Sequence, residues 1–225
     1  MNRMSALLYL LSPLVLLATG AGFYVGGAWC LTGAVLFVAL AVVDELLPRD
    51  FSDHRIRAAG VWQALFYAHY LFIGVMWLAL ALAMGAGRIE GWWLVPAWVS
   101  LVLIGGGIGL PASHELMHGK TLASRVGADL VGTLVGIPMT ELAHVNVHHL
   151  HVGTARDGDT PRRGEGIYRF GLVSIWKQLT ESLAIENARQ RRFGRSILSP
   201  RGRLLWGVLA QIAFGVAFCV LAGWW

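Results

Sequence analysis

Long apolar runs separated by short polar stretches divide the chain into segments. The runs lie near 5–24, 26–44, 61–84, 92–113 and 204–225. Each is close to the roughly 20 residues that a helix needs to cross a bilayer. The pattern therefore predicts five membrane-spanning helices, the first two of which are joined by a tight turn.

One further apolar stretch, 126–142, is shorter than the others and contains three glycines and Pro138. Glycine and proline interrupt helices, so these residues favour a broken or re-entrant element. Irregular backbone at membrane depth is tolerated only where protein or a cavity surrounds it. The alternative is an ordinary sixth span that packs on a neighbour through Gly132 and Gly136. We favour an interfacial or re-entrant segment, since a full crossing would separate the histidines that flank it.

Composition supports the membrane interpretation. Of the 225 residues, 56% are hydrophobic and only 14% are charged, which is too apolar for a soluble domain of this length. Both cysteines, Cys30 and Cys219, lie inside apolar runs, so the chain has no thiol cluster for a metal and no disulfide framework. The expected fold class is an all-α integral membrane protein.

The basic residues indicate the orientation. Of the 18 lysines and arginines, all except Arg88 lie on the side that holds the N-terminus, the 44–60 turn and the 114–203 loop. The positive-inside rule makes that side cytoplasmic, so we expect a multi-pass protein of the cell inner membrane with a cytoplasmic N-terminus. The basic loop residues from Arg156 to Arg203 suit anionic lipid heads or an acidic electron carrier, and they do not support nucleic-acid binding.

Five histidines are candidate metal ligands on this cytoplasmic side. His114 and His118 are four residues apart, which places both imidazoles on one face of a helix. His144 and His148 repeat the spacing, and His149 adds a donor that an α-helix would direct about 100° away from its neighbour. Imidazole is a favoured ligand of iron, copper and zinc, so the pattern predicts a metal site.

The first pair also matches the HExxH signature of zinc metalloproteases, through His114 and His118 with Glu115 between them. Such a site needs only three protein ligands, and two further histidines would then have no role. The excess favours two metal ions, although an intramembrane metalloprotease stays an alternative. A metal-binding protein without catalysis is a further alternative, but nearly apolar spans do not suit transport.

The chain resembles the membrane-bound di-iron hydroxylase and desaturase superfamily, which is fatty acid desaturase-like, and within it the alkane 1-monooxygenase and xylene monooxygenase branch. The resemblance rests on residues 114–118 as the first histidine box, residues 144–149 as the second, and the tails 152–157 and 164–170. It implies an O2-dependent oxidoreductase with two non-haem iron ions. It also implies hydroxylation of an alkane-like hydrocarbon, or of an alkyl group on an aromatic ring, with electrons from rubredoxin or ferredoxin and its reductase. Fatty acid desaturation within the same superfamily is the alternative reaction.

The chain departs from that pattern in two ways. Ala143 and Val147 stand where alkane hydroxylases usually have glutamate and glycine, which brings the chain nearer to aryl-methyl or generic desaturase-like members. In addition, no histidine follows His151, so the third histidine box of the family is absent from these 225 residues. We expect residues 1–225 to form a single membrane domain whose C-terminal part is missing before a sixth span. A partner subunit that supplies the remaining ligands, or an inactive protein, are the alternatives.

Two weaker sets of candidates complete the prediction, which assigns no catalytic residue beyond the metal ligands. Metal-bound histidines usually donate to an outer partner that orients them. The candidate partners are Glu115, Glu141, Asn146, His151 and Asp157. Aromatic residues of the third and fourth runs are candidates to line a substrate channel from the bilayer, although packing or interfacial anchoring explains them equally well. They are Trp62, Phe66, Trp77 and Trp98.

Overall fold

The computed structural model describes residues 10–47, 59–134, 136 and 138–224, apart from the side chains of residues 59–63 and Phe66. All regular secondary structure in these ranges is helical, as predicted. The chain forms two compact units, Met1–Ala112 with Val216–Trp225, and Ser113–Gly215.

The first unit contains long apolar helices. They are α1 (Leu11–Val25), α2 (Thr32–Leu46), α3 (Ala59–Gly85) and α4 (Leu94–Ile104), with short 3₁₀ segments at Gly27–Leu31 and Gly91–Trp93 and a π-helical turn at Gly105–Gly109. Helix α5 (Leu110–Met117) begins in this unit and the last helix, α10 (Arg203–Leu221), ends in it. Helix α1 packs chiefly on α3, and α2 packs on α4.

Four helical segments are long and apolar enough to cross a membrane. They are Gly27–Leu46, Tyr67–Gly85, Gly91–Met117 and Arg203–Leu221. The first predicted span, 5–24, corresponds in the described residues to the apolar helix Leu11–Val25, and residues 5–9 lie outside them. Most of the polar 44–60 turn lies outside the described residues.

The predicted tight turn between the first two apolar runs is present at Gly26 and Gly27. Their φ angles are 84° and 54°, in the region that glycine adopts without steric cost. The Gly27 N–H donates to the carbonyl of Arg88 over 3.2 Å. The Arg88 guanidinium in turn lies 4.2 Å from the ring centroid of Tyr24, a cation–π distance. The short 85–91 link therefore packs against this turn.

The second unit contains the remaining helices. They are α6 (Leu122–Leu134), α7 (Thr140–Ala143), a π-helical turn (His144–His148), α8 (His149–His151) and α9 (Ile167–Arg192). The 126–142 stretch is broken, since α6 ends at Leu134 and α7 begins at Thr140. Met139, with φ 66°, is left-handed, and its carbonyl accepts hydrogen bonds from Ser182 Oγ at 3.1 Å and from Leu142 N at 2.9 Å. The break agrees with the expected interrupted element, whose depth in the bilayer stays a prediction.

Candidate metal centre

Two helical segments of the second unit carry the five histidines. His114 and His118 lie on α5 and just after its end, one turn apart, and their Nε2 atoms are 3.4 Å from each other. His144, His148 and His149 lie on the continuous stretch from the π turn into α8. The break between α6 and α7 lets the chain return, so that both groups of imidazoles lie together.

The π turn decides the direction of His149. In a regular α-helix, residues five apart point about 140° away from each other. Here the N–H of His149 donates to the carbonyl of His144, an i→i+5 hydrogen bond that widens the turn by one residue. The Nε2 atoms of His144 and His149 consequently lie only 3.1 Å apart. His149 therefore faces the same cluster as His144, which its spacing in an α-helix did not predict.

His144 is the centre of the cluster. Its ring centroid lies 4.5 Å from that of His114, 5.4 Å from His118, 5.1 Å from His148 and 4.8 Å from His149. One donor atom from each of His114, His118 and His144 falls within 4.8 Å of the other two. This spacing suits nitrogen ligands of a common transition-metal ion.

Electrostatics keeps the central imidazole in its metal-binding form. Burial of His144, with added repulsion from the neighbouring imidazoles, lowers its pKa from 6.5 to about 4. At neutral pH this side chain is therefore uncharged and has a free lone pair, which a metal ligand requires. A group of imidazoles that face one another is a donor set that fits iron.

Asp157 orients the fourth histidine. Its Oδ1 and Oδ2 atoms lie 3.1 and 3.0 Å from Nδ1 of His148, and its side chain is buried. An ionised carboxylate can only accept a hydrogen bond, so Nδ1 of His148 carries the proton. Nε2 then keeps the lone pair that can bind a metal. Burial alone would raise the pKa of Asp157, but hydrogen bonds from Thr160 Oγ1, Asp159 N and His148 hold it below its ordinary value.

The other four predicted supporting residues make different contacts. Glu141 accepts from Arg203 at 2.8 Å, and Asn146 donates to the carbonyl of Leu142 at 2.8 Å. Glu115 is exposed, and the carbonyl of His151 accepts from Thr154 N–H at 3.0 Å. Within the described ranges, none of these four side chains is hydrogen-bonded to an imidazole of the cluster.

A charged network beside the histidine-bearing helix was not predicted from the sequence. Nη2 of Arg203, at the start of α10, donates to Asp129 Oδ1 and Oδ2 at 2.6 and 2.7 Å and to Glu141 Oε2 at 2.8 Å. It thereby connects α6, α7 and α10, and Glu141 is three residues before His144. The available signal was the presence of two carboxylates, Asp129 and Glu141, within the apolar 126–142 stretch, since such charges need a partner.

The candidate channel residues belong to the first unit. The rings of Trp77 and Trp98 have centroids 6.0 Å apart, and they lie 5.4 and 6.3 Å from that of Phe218. These edge-on and tilted contacts are typical of packed aromatic clusters. The side chains of Trp62 and Phe66 lie outside the described part of the chain. A channel role for this set stays a prediction.

Comparison with known proteins gives consistent matches. The sequence model of a family described as fatty acid desaturase matches residues 90–225. The chain is 37% identical over 201 residues to the xylene/toluene monooxygenase hydroxylase component of Pseudomonas putida, covering 86% of this chain and 53% of that protein. It is 25% identical over 199 residues to alkane 1-monooxygenase 2 of Pseudomonas aeruginosa, covering 85% and 53%. It is 30% identical over 191 residues to alkane 1-monooxygenase 1 of Alcanivorax borkumensis, covering 81% and 46%. The chain thus spans about half the length of the curated relatives it matches.

Proposed function

We propose that this chain is the metal-binding membrane part of a monooxygenase that hydroxylates a hydrocarbon. The chain belongs to the fatty acid desaturase family, whose sequence model matches residues 90–225. The family predicted from the two histidine boxes is thereby confirmed. The observation that carries the proposal is the convergence of five imidazoles from two separate helical segments, with three donor atoms within 4.8 Å of one another. The relatives named for xylene, toluene and alkanes favour an alkane-like substrate or an alkyl group on an aromatic ring.

The five histidines would hold two non-haem iron ions. They are His114, His118, His144, His148 and His149. When bound, the irons would supply the oxidation of a C–H bond by O2, two electrons and two protons, with one oxygen atom entering the product alcohol and the other leaving as water. The chain's own residues prepare the ligands: burial keeps His144 uncharged, and Asp157 holds the proton of His148 on Nδ1.

The zinc metalloprotease alternative predicts a different metal and fewer ligands. A HExxH protease uses two histidines, one further ligand and the glutamate as general base. In this chain the imidazoles of His148 and His149 also lie in the cluster, and Glu115 is exposed. These features favour the di-iron proposal. Desaturation of a fatty acid uses the same metal ligands, so product analysis separates it from hydroxylation.

Electrons would come from a rubredoxin or ferredoxin with its reductase. The segment from Arg156 to Arg203, which includes α9, is strongly basic, and this suits electrostatic steering of an acidic carrier. A multi-pass arrangement in the cell inner membrane, with the N-terminus and the histidines on the cytoplasmic side, places the site where such carriers are found. Turnover that showed no dependence on ionic strength would contradict this docking.

Iron content and product formation after His148→Ala test the proposal. The purified chain should bind iron rather than zinc, and His148→Ala should lose iron, because an imidazole of the cluster is removed. The same variant should abolish oxidation of toluene or octane in membranes supplied with rubredoxin or ferredoxin, its reductase and NADH. His151→Ala is the matched control, since His151 lies three residues further along and makes no ring contact with the cluster in the described structure. Unchanged iron in His148→Ala, or an equal loss in both variants, would contradict the assignment.

A further inference from the structure

A cavity of about 390 Å³ lies in the second unit between α6, the end of α9 and the start of α10. None of the five histidines lines it. Its volume lies within the range of cavities that hold small molecules. Its lining combines arginines with exposed apolar side chains.

The charged part of the cavity is positive. Three arginines and one carboxylate line it: Arg125, Arg189, Arg203 and Asp129. Arg203 and Asp129 neutralise each other through two hydrogen bonds of 2.6 and 2.7 Å. Arg125 is exposed and has no ion-pair partner in the part of the chain that the structure describes. Arg189 forms an ion pair with Oε2 of the buried Glu186 over 3.7 Å, and its side chain is 53% exposed. The guanidinium of Arg125 is therefore available to an anion, and Arg189 adds a half-exposed side chain of the same charge.

The apolar part of the cavity is a stripe along one face of α6. Leu122, Val126 and Leu130 are spaced four residues apart, and they are 77%, 47% and 53% exposed. Trp206 on α10 faces the same cavity and is 60% exposed, with its indole N–H donating to the carbonyl of Pro200. Side chains of this size are exposed along one continuous row when an apolar partner covers them.

The position in the fold indicates where the partner comes from. Helix α10 is a candidate membrane span that begins at Arg203, so the cavity lies at the end of a span, where headgroups and acyl chains of lipids meet. Tryptophan is enriched at this depth, because its ring is apolar and its N–H is polar. Basic cavities beside membrane helices on the cytoplasmic side bind anionic lipid headgroups.

We propose that this cavity binds one anionic phospholipid of the surrounding leaflet. Arg125 and Arg189 hold the phosphate, and an acyl chain lies along Leu122, Val126 and Leu130. A free hydrocarbon would leave the guanidinium of Arg125 without a partner, and inorganic phosphate would leave the apolar stripe exposed. A lipid with a phosphate and a chain satisfies both parts. This inference is independent of the metal and of the reaction.

Binding of defined lipids to the whole detergent-solubilised chain tests the proposal by native mass spectrometry. The probes are phosphatidylglycerol, phosphatidylcholine with the same chains, and inorganic phosphate. Phosphatidylglycerol should bind best, and Arg125→Gln with Arg189→Gln should weaken it by about thirtyfold, since two basic contacts are lost. The matched control is Arg191→Gln with Arg192→Gln, which removes the same charge from exposed residues of α9 that do not line the cavity.

Three results would overturn the proposal. Equal losses of affinity in both double variants would indicate general surface attraction. Equal binding of phosphatidylcholine would contradict selectivity for an anionic headgroup. Equally tight binding of inorganic phosphate would show that the acyl chain contributes nothing to binding. A measurement on the unmodified chain covers the case of a variant that does not fold. Phosphatidylglycerol with a photoreactive acyl chain should label residues 122–130, and labelling confined to other segments would refute the site.

Discussion

Asp157→Ala should weaken iron binding without removing any metal ligand. The substitution takes away the acceptor that fixes the proton on Nδ1 of His148. The ring is then free to rotate or to change tautomer, which makes Nε2 a poorer donor. Loss of such an outer partner typically lowers metal affinity 10- to 100-fold, or about 1.4 to 2.7 kcal/mol.

The contacts of Asp157 give the expected order among its variants. The carboxylate accepts from His148 Nδ1, from Asp159 N at 2.9 Å and from Thr160 Oγ1 at 2.5 Å, and its side chain is 1% exposed. Alanine leaves all three donors without this acceptor, each at a cost of about 1 to 3 kcal/mol when buried. Asparagine keeps one acceptor oxygen and the packing but removes the charge. Its loss of affinity should lie between those of the wild type and Asp157→Ala.

The assay is an anaerobic titration of the metal-free chain with ferrous iron against a competing chelator. Asp159→Asn is the matched control, because Asp159 lies in the same loop but its Oδ1 accepts from Ser174 and Gln178 rather than from a histidine. Wild-type affinity in Asp157→Ala would refute the orienting role. An equal loss in Asp159→Asn would show that the loop as a whole, and not the bond to His148, matters.

Three further expectations follow from the described contacts. Arg203→Met should destabilise the chain by about 1 to 3 kcal/mol in chemical unfolding, since it leaves two partly buried carboxylates unpaired, whereas recovery by Arg203→Lys would show that charge alone suffices. In the metal-free chain, acidification from pH 6.5 towards 4 should lower stability. The reason is that the imidazole of His144 takes up a proton in the unfolded state but stays uncharged in the folded state. His144→Gln should reduce this dependence of stability on pH. Gly26→Ala should lower the melting temperature, because its φ is 84° and a Cβ would lie 2.5 Å from a carbonyl oxygen, while Gly74→Ala, with open space in a helix, should not.

Several features of this molecule were predictable because they depend on local pattern. Apolar runs of sufficient length predicted an all-helical membrane chain, and glycines between the first two runs predicted a turn. The glycines and Pro138 predicted the break before Thr140. Residues 5–9 of the first apolar run lie outside the described residues, so the length of the first span stays a prediction.

The amino-acid sequence by itself determined the helical class, the family and the identity of the clustered histidines, since each depends on residue type and spacing along the chain. The tertiary structure alone decided how these residues meet. The π turn directs His149 toward His144, the loop after α8 brings Asp157 to His148, and α10 brings Arg203 to Asp129 and Glu141. The physical reason is that periodicity describes the faces of a regular helix, whereas a widened turn and contacts up to 74 residues apart depend on packing between distant segments.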